Sequence, residues 1–69
     1  MTPLNPESKE HRAIITAAIC AADAFGVGRI TAAREQLEMN DITPDENTLH
    51  RLVYQIGGTV DDAARGGPR

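Results

Sequence analysis

The 69-residue sequence has no tryptophan, one phenylalanine, one tyrosine and one cysteine. A lone cysteine cannot form an intramolecular disulfide, and no cysteine pair lies near either histidine, so the sequence predicts no disulfide framework, no metal site and no cofactor. Ten of its apolar residues are alanine, which buries little area per side chain. Since the core of so short a chain rarely supplies more than ~3–5 kcal/mol, the composition favours one small domain stabilised by a second copy, a homodimer.

Long apolar runs, excess positive charge and catalytic motifs are also missing. No apolar run approaches the ~20 residues that cross a bilayer, and the N-terminus lacks the pattern of a secretory signal. Seven Lys and Arg stand against ten Asp and Glu, giving a net charge of −3, whereas nucleic-acid-binding domains often have a pI above ~9. There is no phosphate-binding glycine loop after a strand, no HExxH motif and no Ser/His/Asp set. We therefore expect a cytoplasmic protein that is not an enzyme and has no membrane partner.

The most apolar stretch, Ala13–Val27, lies in the first predicted helix. Asn5 as N-cap and Pro6 at the first helical position predict where this helix starts, and Gly26 predicts a left-handed C-cap after Phe25. At 100° per residue the apolar arc of this helix spans roughly 220°, about twice the stripe of an ordinary surface helix. The excess predicts a dimer interface, whose expected residues are Ile14, Ile15, Ala18, Ala21, Ala22 and Phe25.

Two further helices are indicated by caps and apolar spacing. Thr31 predicts the N-cap of a second helix that ends near Asn40. Thr43, Pro44 and Glu46 fit a capping box at the start of a third, which is expected to end at the glycine pair 57–58. Apolar residues at helical spacing line one side of each helix: Ile30, Ala33 and Leu37 in the second, and Leu49, Leu52, Val53 and Ile56 in the third.

The sequence therefore predicts an all-α fold, a small bundle of three helices with or without a short fourth turn over residues 60–64. We expect it to form an intertwined or side-by-side homodimer. Residues 1–69 form a single helical domain in this prediction. The segments 1–4 and 65–69 are expected to be flexible, as chain termini usually are.

Three polar features of the first helix are candidates for chemistry. Glu7 and His11 are spaced i,i+4, and we interpret them as an ordinary surface contact rather than a proton-handling couple. Cys20 has no cationic residue one turn away to activate its thiol, so a packed small side chain is expected. Asp23 pairs with a base such as Arg29, pairs with an arginine of a partner or is solvated, and solvation is favoured.

The third helix carries the candidate binding site on the side opposite its apolar stripe. Hydrogen-bonding and amphipathic side chains of the kind enriched at recognition surfaces cluster there. The alternative is a plain solvated helix face, for which Lys and Glu would be more usual, and both interpretations stay open. The candidate partner-binding residues are Asn47, His50, Arg51, Tyr54 and Gln55.

The segment Arg29–Val53, RITAAREQLEMNDITPDENTLHRLV, resembles the N-terminal DNA-binding region of KfrA-type plasmid regulators. The resemblance implies a helix-turn-helix whose recognition helix is the third helix, with Thr48, His50 and Arg51 facing the major groove and Asn47 beside them. The sequence departs from this role in charge. The segment from Arg29 to Gln55 holds three arginines against five acidic residues, a net charge of −2. Two of the acidic residues lie at the N-terminus of the recognition helix, where phosphates usually bind.

Two functions follow from these observations. The favoured one is a small acidic helical regulator that binds a host or regulatory protein and modulates, most often inhibits, it. Small acidic chains from phages and other mobile elements commonly act in this way. The alternative is a helix-turn-helix transcriptional regulator that binds DNA, which the acidic charge disfavours.

Overall fold

Three helices dominate residues 1–66, the part of the chain that the computed structural model describes. Helix α1 covers Lys9–Phe25, α2 covers Arg29–Met39 and α3 covers Glu46–Ala64. Strands β1, Thr2–Pro3, and β2, Ile42–Thr43, form one short parallel pair. The predicted all-α class, a bundle of three helices, is confirmed.

The core lies where α1 packs against both α2 and α3. The predicted apolar stripes of α2 and α3 face it, with Ile30 only partly buried. The core also includes Leu4 and Ile42, which lie outside the predicted apolar stripes. The largest side chains with no more than 1% exposure are Ile15, Ile19, Leu37, Leu49 and Leu52.

The N-terminal segment is part of the fold, so the prediction that residues 1–4 are flexible is wrong. The backbone N–H of Thr2 donates to the carbonyl of Asp41 at 2.9 Å, and that of Leu4 donates to the carbonyl of Thr43 at 3.1 Å. The Leu4 side chain is 6% exposed. The segment is held by a partner about 40 residues away, which is why no local pattern predicts it.

Helix α1 begins three residues later than its predicted start and ends as predicted. Asn5 caps a turn instead, since its Oδ1 accepts from the N–H of Glu7 at 3.0 Å. The hydroxyl of Ser8 is the true N-cap and accepts from the N–H of His11 at 3.2 Å. At the other end Gly26 adopts φ 72°, so the prediction of a left-handed C-cap is confirmed.

The predicted N-cap of α2 is wrong by three residues and that of α3 by two. Helix α2 starts after Gly28 rather than Thr31. Helix α3 is capped by Asp45, whose carboxylate accepts from the Thr48 N–H at 3.0 Å and the Thr48 hydroxyl at 2.7 Å. The predicted cap of α3, Thr43, lies in β2 instead, because strand pairing with the N-terminal segment fixes its backbone.

Helix α3 continues through the glycine pair to Ala64 and absorbs the predicted fourth turn. Gly57 is buried, and a Cβ there would lie 2.8 Å from Nη1 of Arg29. This glycine therefore permits the close approach of Arg29 rather than ending the helix. Arg65 and Gly66 form a turn after α3. The rest of the tail predicted to be flexible, 67–69, lies outside the described residues.

Candidate functional site

The five candidate binding residues lie together on the exposed side of α3, away from the core stripe. All are solvent-exposed, and Tyr54 is 84% exposed. Their spacing follows the helical repeat, so the side chains form a continuous strip along the helix. We call this strip, made of Asn47, His50, Arg51, Tyr54 and Gln55, the α3 outer face.

An open groove of about 980 Å³ runs beside the α3 outer face, between α3 and the start of α2. Ile30 and Val53 line it with apolar surface, His50 and Tyr54 line its α3 side, and Thr31 lines its α2 side. We call it the α2–α3 groove. It joins an apolar recess to the hydrogen-bonding side chains of the outer face, which the sequence did not predict because the groove needs both helices.

Charge near the first turn of α3 is largely neutralised within the chain. Arg34 donates to both carboxylate oxygens of Glu46, from Nε at 3.0 Å and from Nη2 at 2.7 Å. These hydrogen bonds hold the pKa of Glu46 below its usual range. His50 Nε2 lies 3.5 Å from the same carboxylate. Arg51, in contrast, makes no side-chain hydrogen bond or ion pair with residues 1–66, so its guanidinium is available to a partner.

A second cluster of ion pairs, formed by Arg29 with Asp23 and Asp61, lies beside the α2–α3 groove. Arg29 donates to Asp23 at 2.9 and 2.6 Å and to Asp61 at 2.8 Å, joining the end of α1, the start of α2 and the last turns of α3. Hydrogen bonds from Arg29 lower the pKa of both aspartates, and the two carboxylates raise the pKa of Arg29. Asp23 is therefore paired, and the favoured prediction that it is solvated is wrong.

The N-terminus of α3 is occupied by its own cap. The carboxylate of Asp45 binds the Thr48 N–H and hydroxyl, and these hydrogen bonds lower the pKa of Asp45. Thr48, which the plasmid-regulator resemblance places toward DNA, is partly buried and donates its hydroxyl to this cap.

Half of the predicted dimer interface lies inside the monomer. Ile15, Ala18 and Ala22 are at most 2% exposed, so assigning them to an interface is wrong. The three-helix core, with Leu4 and Ile42 added to it, covers more of α1 than the stripes of α2 and α3 alone indicate. The other predicted interface residues lie further out: Ile14 is partly buried, and Ala21 and Phe25 are exposed.

Two other side chains of α1 differ from expectation. His11 is 8% exposed, and its Nδ1 accepts the backbone N–H of Asn5 at 3.0 Å, so it joins the N-terminal turn instead of forming a surface contact with Glu7. Cys20 is exposed and unpaired in the chain. The prediction that it is packed is wrong because the α1 face that carries it is not covered by α2 or α3.

Within residues 1–66, no group of three or more His, Cys, Asp or Glu side chains is arranged to hold a metal ion. None of the helices there is long and apolar enough to cross a membrane. No protein-family model, curated protein or solved structure matches this chain, so the likeness to plasmid regulators has no relative to test it.

Acid should destabilise the fold, because Asp23, Asp45, Glu46 and Asp61 all have folded-state pKa values below their ordinary ones. The stability that these groups contribute is complete above the unfolded carboxyl pKa near ~4 and is lost as the pH falls through the lower folded values. We expect the urea midpoint to hold from about pH 7 to 5 and to fall below about pH 4. Arg29→Gln should weaken that dependence, and an equal acid response in this variant would contradict the assignment.

Proposed function

We propose that this chain is a small acidic helical regulator that binds another protein through the α3 outer face and modulates it, with inhibition as the expected effect. The observation that carries the proposal is Tyr54, 84% exposed beside an apolar groove. Large exposed aromatic side chains next to a recess are typical of protein interfaces, and Tyr and Arg are the residues that most often dominate binding.

The α2–α3 groove indicates the chemistry of the partner surface. Ile30 and Val53 offer an apolar floor for one protruding apolar side chain, with the ring of Tyr54 as one wall. Arg51 lies about one helical turn from Tyr54 and is unpaired within residues 1–66. Its guanidinium can therefore donate to a carboxylate or a backbone carbonyl of the partner. We therefore expect a partner segment that presents an apolar anchor flanked by an acceptor.

The biological setting belongs to the same proposal. Size and net charge of −3 favour an accessory protein of a phage or mobile element that acts on a host or regulatory protein in the cytoplasm. A small rigid helix face can block a functional surface without an active site of its own. Exposure of five polar and aromatic side chains on a single helix supports this mode of action.

DNA binding is the second candidate, and the exposure of Asn47, His50 and Arg51 on a helix that follows α2 favours it, since these side chains can read base edges. Three observations weigh against it. The connection between α2 and α3, residues 40–45, is longer than the three or four residues of a helix-turn-helix and contains β2. Arg29 and Arg34 already bind carboxylates. The capped N-terminus of α3 has little left to offer a phosphate.

A pull-down from host extract tests the protein-binding function. The double variant Arg51→Ala, Tyr54→Ala should lose its partner, with affinity lowered by at least ~100-fold if both side chains dominate the interface. Both side chains are exposed, so the fold should be unchanged by circular dichroism. The control is Glu38→Ala, Met39→Ala, which changes two exposed residues on α2 and should keep the partner. A partner recovered equally by both double variants would mean that the α3 outer face is not the binding site.

Titration with duplex DNA at low salt tests the alternative. Binding that weakens steeply as salt rises would support a helix-turn-helix regulator, because phosphate contacts release counterions. We expect no retardation at tens of micromolar protein, roughly the range of non-specific DNA binding. Retardation abolished by Arg51→Ala would instead replace the protein-binding proposal with the DNA-binding one.

A further inference from the structure

A second groove, of about 600 Å³, opens between α1 and α2 and is separate from the α3 outer face. Ala17, Ala21 and Phe25 line it from α1, and Ala32 and Glu35 line it from α2. Its surface is mainly apolar, and Glu35 is the one ionisable side chain among its lining residues. We call it the α1–α2 groove.

The rim of this groove carries the most exposed apolar side chains near α1. Phe25 is 81% exposed and Val27, in the loop after α1, is 55% exposed. Phe25 is the only phenylalanine of a chain with few large apolar residues. Although the core has few large side chains to draw on, the Phe25 ring is exposed to solvent beside an apolar groove. Such a surface is typical of an interface.

The outward side of α1, next to the groove, carries mostly small residues. Ala13, Thr16, Ala17, Cys20 and Ala24 are all exposed. No charged side chain interrupts α1 between Arg12 and Asp23. Small side chains allow two helix backbones to approach closely. Because no charged side chain lies between Arg12 and Asp23, another helix can pack on this surface without desolvating a charge.

The two ends of the surface are complementary in size. Phe25 and Val27 form its bulky end, and Ala13 and Ala17 form its small end. In a two-fold dimer the same surface of both copies forms the contact, and the two surfaces run in opposite directions. The bulky end of one copy therefore contacts the small end of the other. An axis near Ala21 would place each Phe25 ring over the small residues of the other copy.

We propose that the α1–α2 groove and the outward side of α1 form a two-fold interface with a second copy of this chain. Phe25 alone can bury roughly 150 Å² or more. A standard interface buries ~800 Å² per partner, and Val27 and the exposed side of α1 would supply the rest of the contact. This interface leaves the α3 outer face uncovered, so the dimer displays two copies of the proposed binding site. The proposed interface does not depend on the proposed function.

Sedimentation equilibrium at concentrations up to about 500 µM tests the pairing, because self-association depends on concentration. The wild type should approach twice its 7.4 kDa monomer mass. Phe25→Glu should weaken the dimer at least ~30-fold, since it places a charge where the ring is buried. The matched control is Tyr54→Glu, which changes the other highly exposed aromatic residue, 84% exposed on α3, and should leave the dimer intact.

Chemical cross-linking through Cys20 tests where the interface lies. This residue is the only cysteine, it is exposed on the outward side of α1, and it is next to Ala21, where the axis is placed. A short bis-maleimide linker should therefore join two wild-type copies and should not join two Phe25→Glu copies. Circular dichroism monitors the fold of each variant, and Ala21→Gln, at another exposed position of the groove, gives a second disruption if Phe25→Glu fails to fold.

Each contrary outcome overturns the proposal. A wild type that stays at 7.4 kDa throughout the concentration range has no such interface. A dimer that survives both Phe25→Glu and Ala21→Gln, or that dissociates with Tyr54→Glu, uses another surface. A series of ever larger species would exclude a closed two-fold pairing. The results with Phe25→Glu and Ala21→Gln do not affect the partner-binding test, because Phe25 and Ala21 lie outside the α3 outer face. Dissociation by Tyr54→Glu would instead assign the α3 outer face to self-association.

Discussion

Leu4→Ala should lower the free energy of unfolding by about 2–5 kcal/mol, the usual cost of a buried leucine truncated to alanine. The side chain is 6% exposed and belongs to the core, although Leu4 is only the fourth residue of the sequence. Since a domain of this size rarely has more than ~3–5 kcal/mol in total, much of the variant should be unfolded. Urea denaturation followed by circular dichroism measures the change.

Thr2→Ala is the control for this substitution. Thr2 is exposed and contributes to the strand pair through its backbone N–H, which alanine keeps. Its stability should change by no more than about 0.5 kcal/mol. If Leu4→Ala were as mild as Thr2→Ala, the N-terminal segment would not be docked onto β2.

Ala18→Glu should unfold the monomer, and this is the second large effect. Ala18 is 2% exposed in the core between the helices. An added carboxylate would be buried there without a partner, a cost that exceeds the ~3–5 kcal/mol available to so small a domain. Far-ultraviolet circular dichroism should show loss of helix at any protein concentration.

The neighbouring substitution, Ala17→Glu, separates folding from assembly. Ala17 is exposed and lines the α1–α2 groove, so this variant should keep its helices and lose only self-association. Equal helix loss in both variants would place Ala17 in the core and contradict the described packing. A folded Ala18→Glu monomer would return Ala18 to the dimer interface that the sequence predicts.

The sequence predicted the three helices, the core stripes of α2 and α3 and the exposure of the polar strip on α3, but not the start of each helix or the end of α3. Leu49, Leu52 and Ile56 repeat at helical spacing, and such amphipathic patterns reflect the helix period itself rather than the neighbours of the helix. Gly26 was predicted correctly for a similar reason, since a left-handed residue after a helix favours glycine wherever the helix lies. The exposure of the α3 outer face follows from the same periodicity, because it is the side opposite the stripe.

The N-caps, in contrast, depended on distant parts of the chain. Thr43 and Asp45 are both good cap residues, and the pairing of β2 with the N-terminal segment decides between them. The glycine pair does not end α3, and Gly57 leaves room for the guanidinium of Arg29, which comes from another helix. For the N-cap of α3 the two local solutions differ by about 1 kcal/mol or less, so a single long-range contact is enough to choose one.

By itself, then, the sequence determined an acidic, all-α chain with three amphipathic helices and a polar strip on the third. The tertiary structure alone decided which alanines of α1 are core and which are surface, because an alanine side chain looks the same from the sequence in either place. It also decided that Leu4 completes the core and that Arg29 and Arg34 are bound by carboxylates, while Arg51 is bound by none within residues 1–66. These outcomes depend on which residues meet across the fold, and spacing along the chain does not encode such contacts.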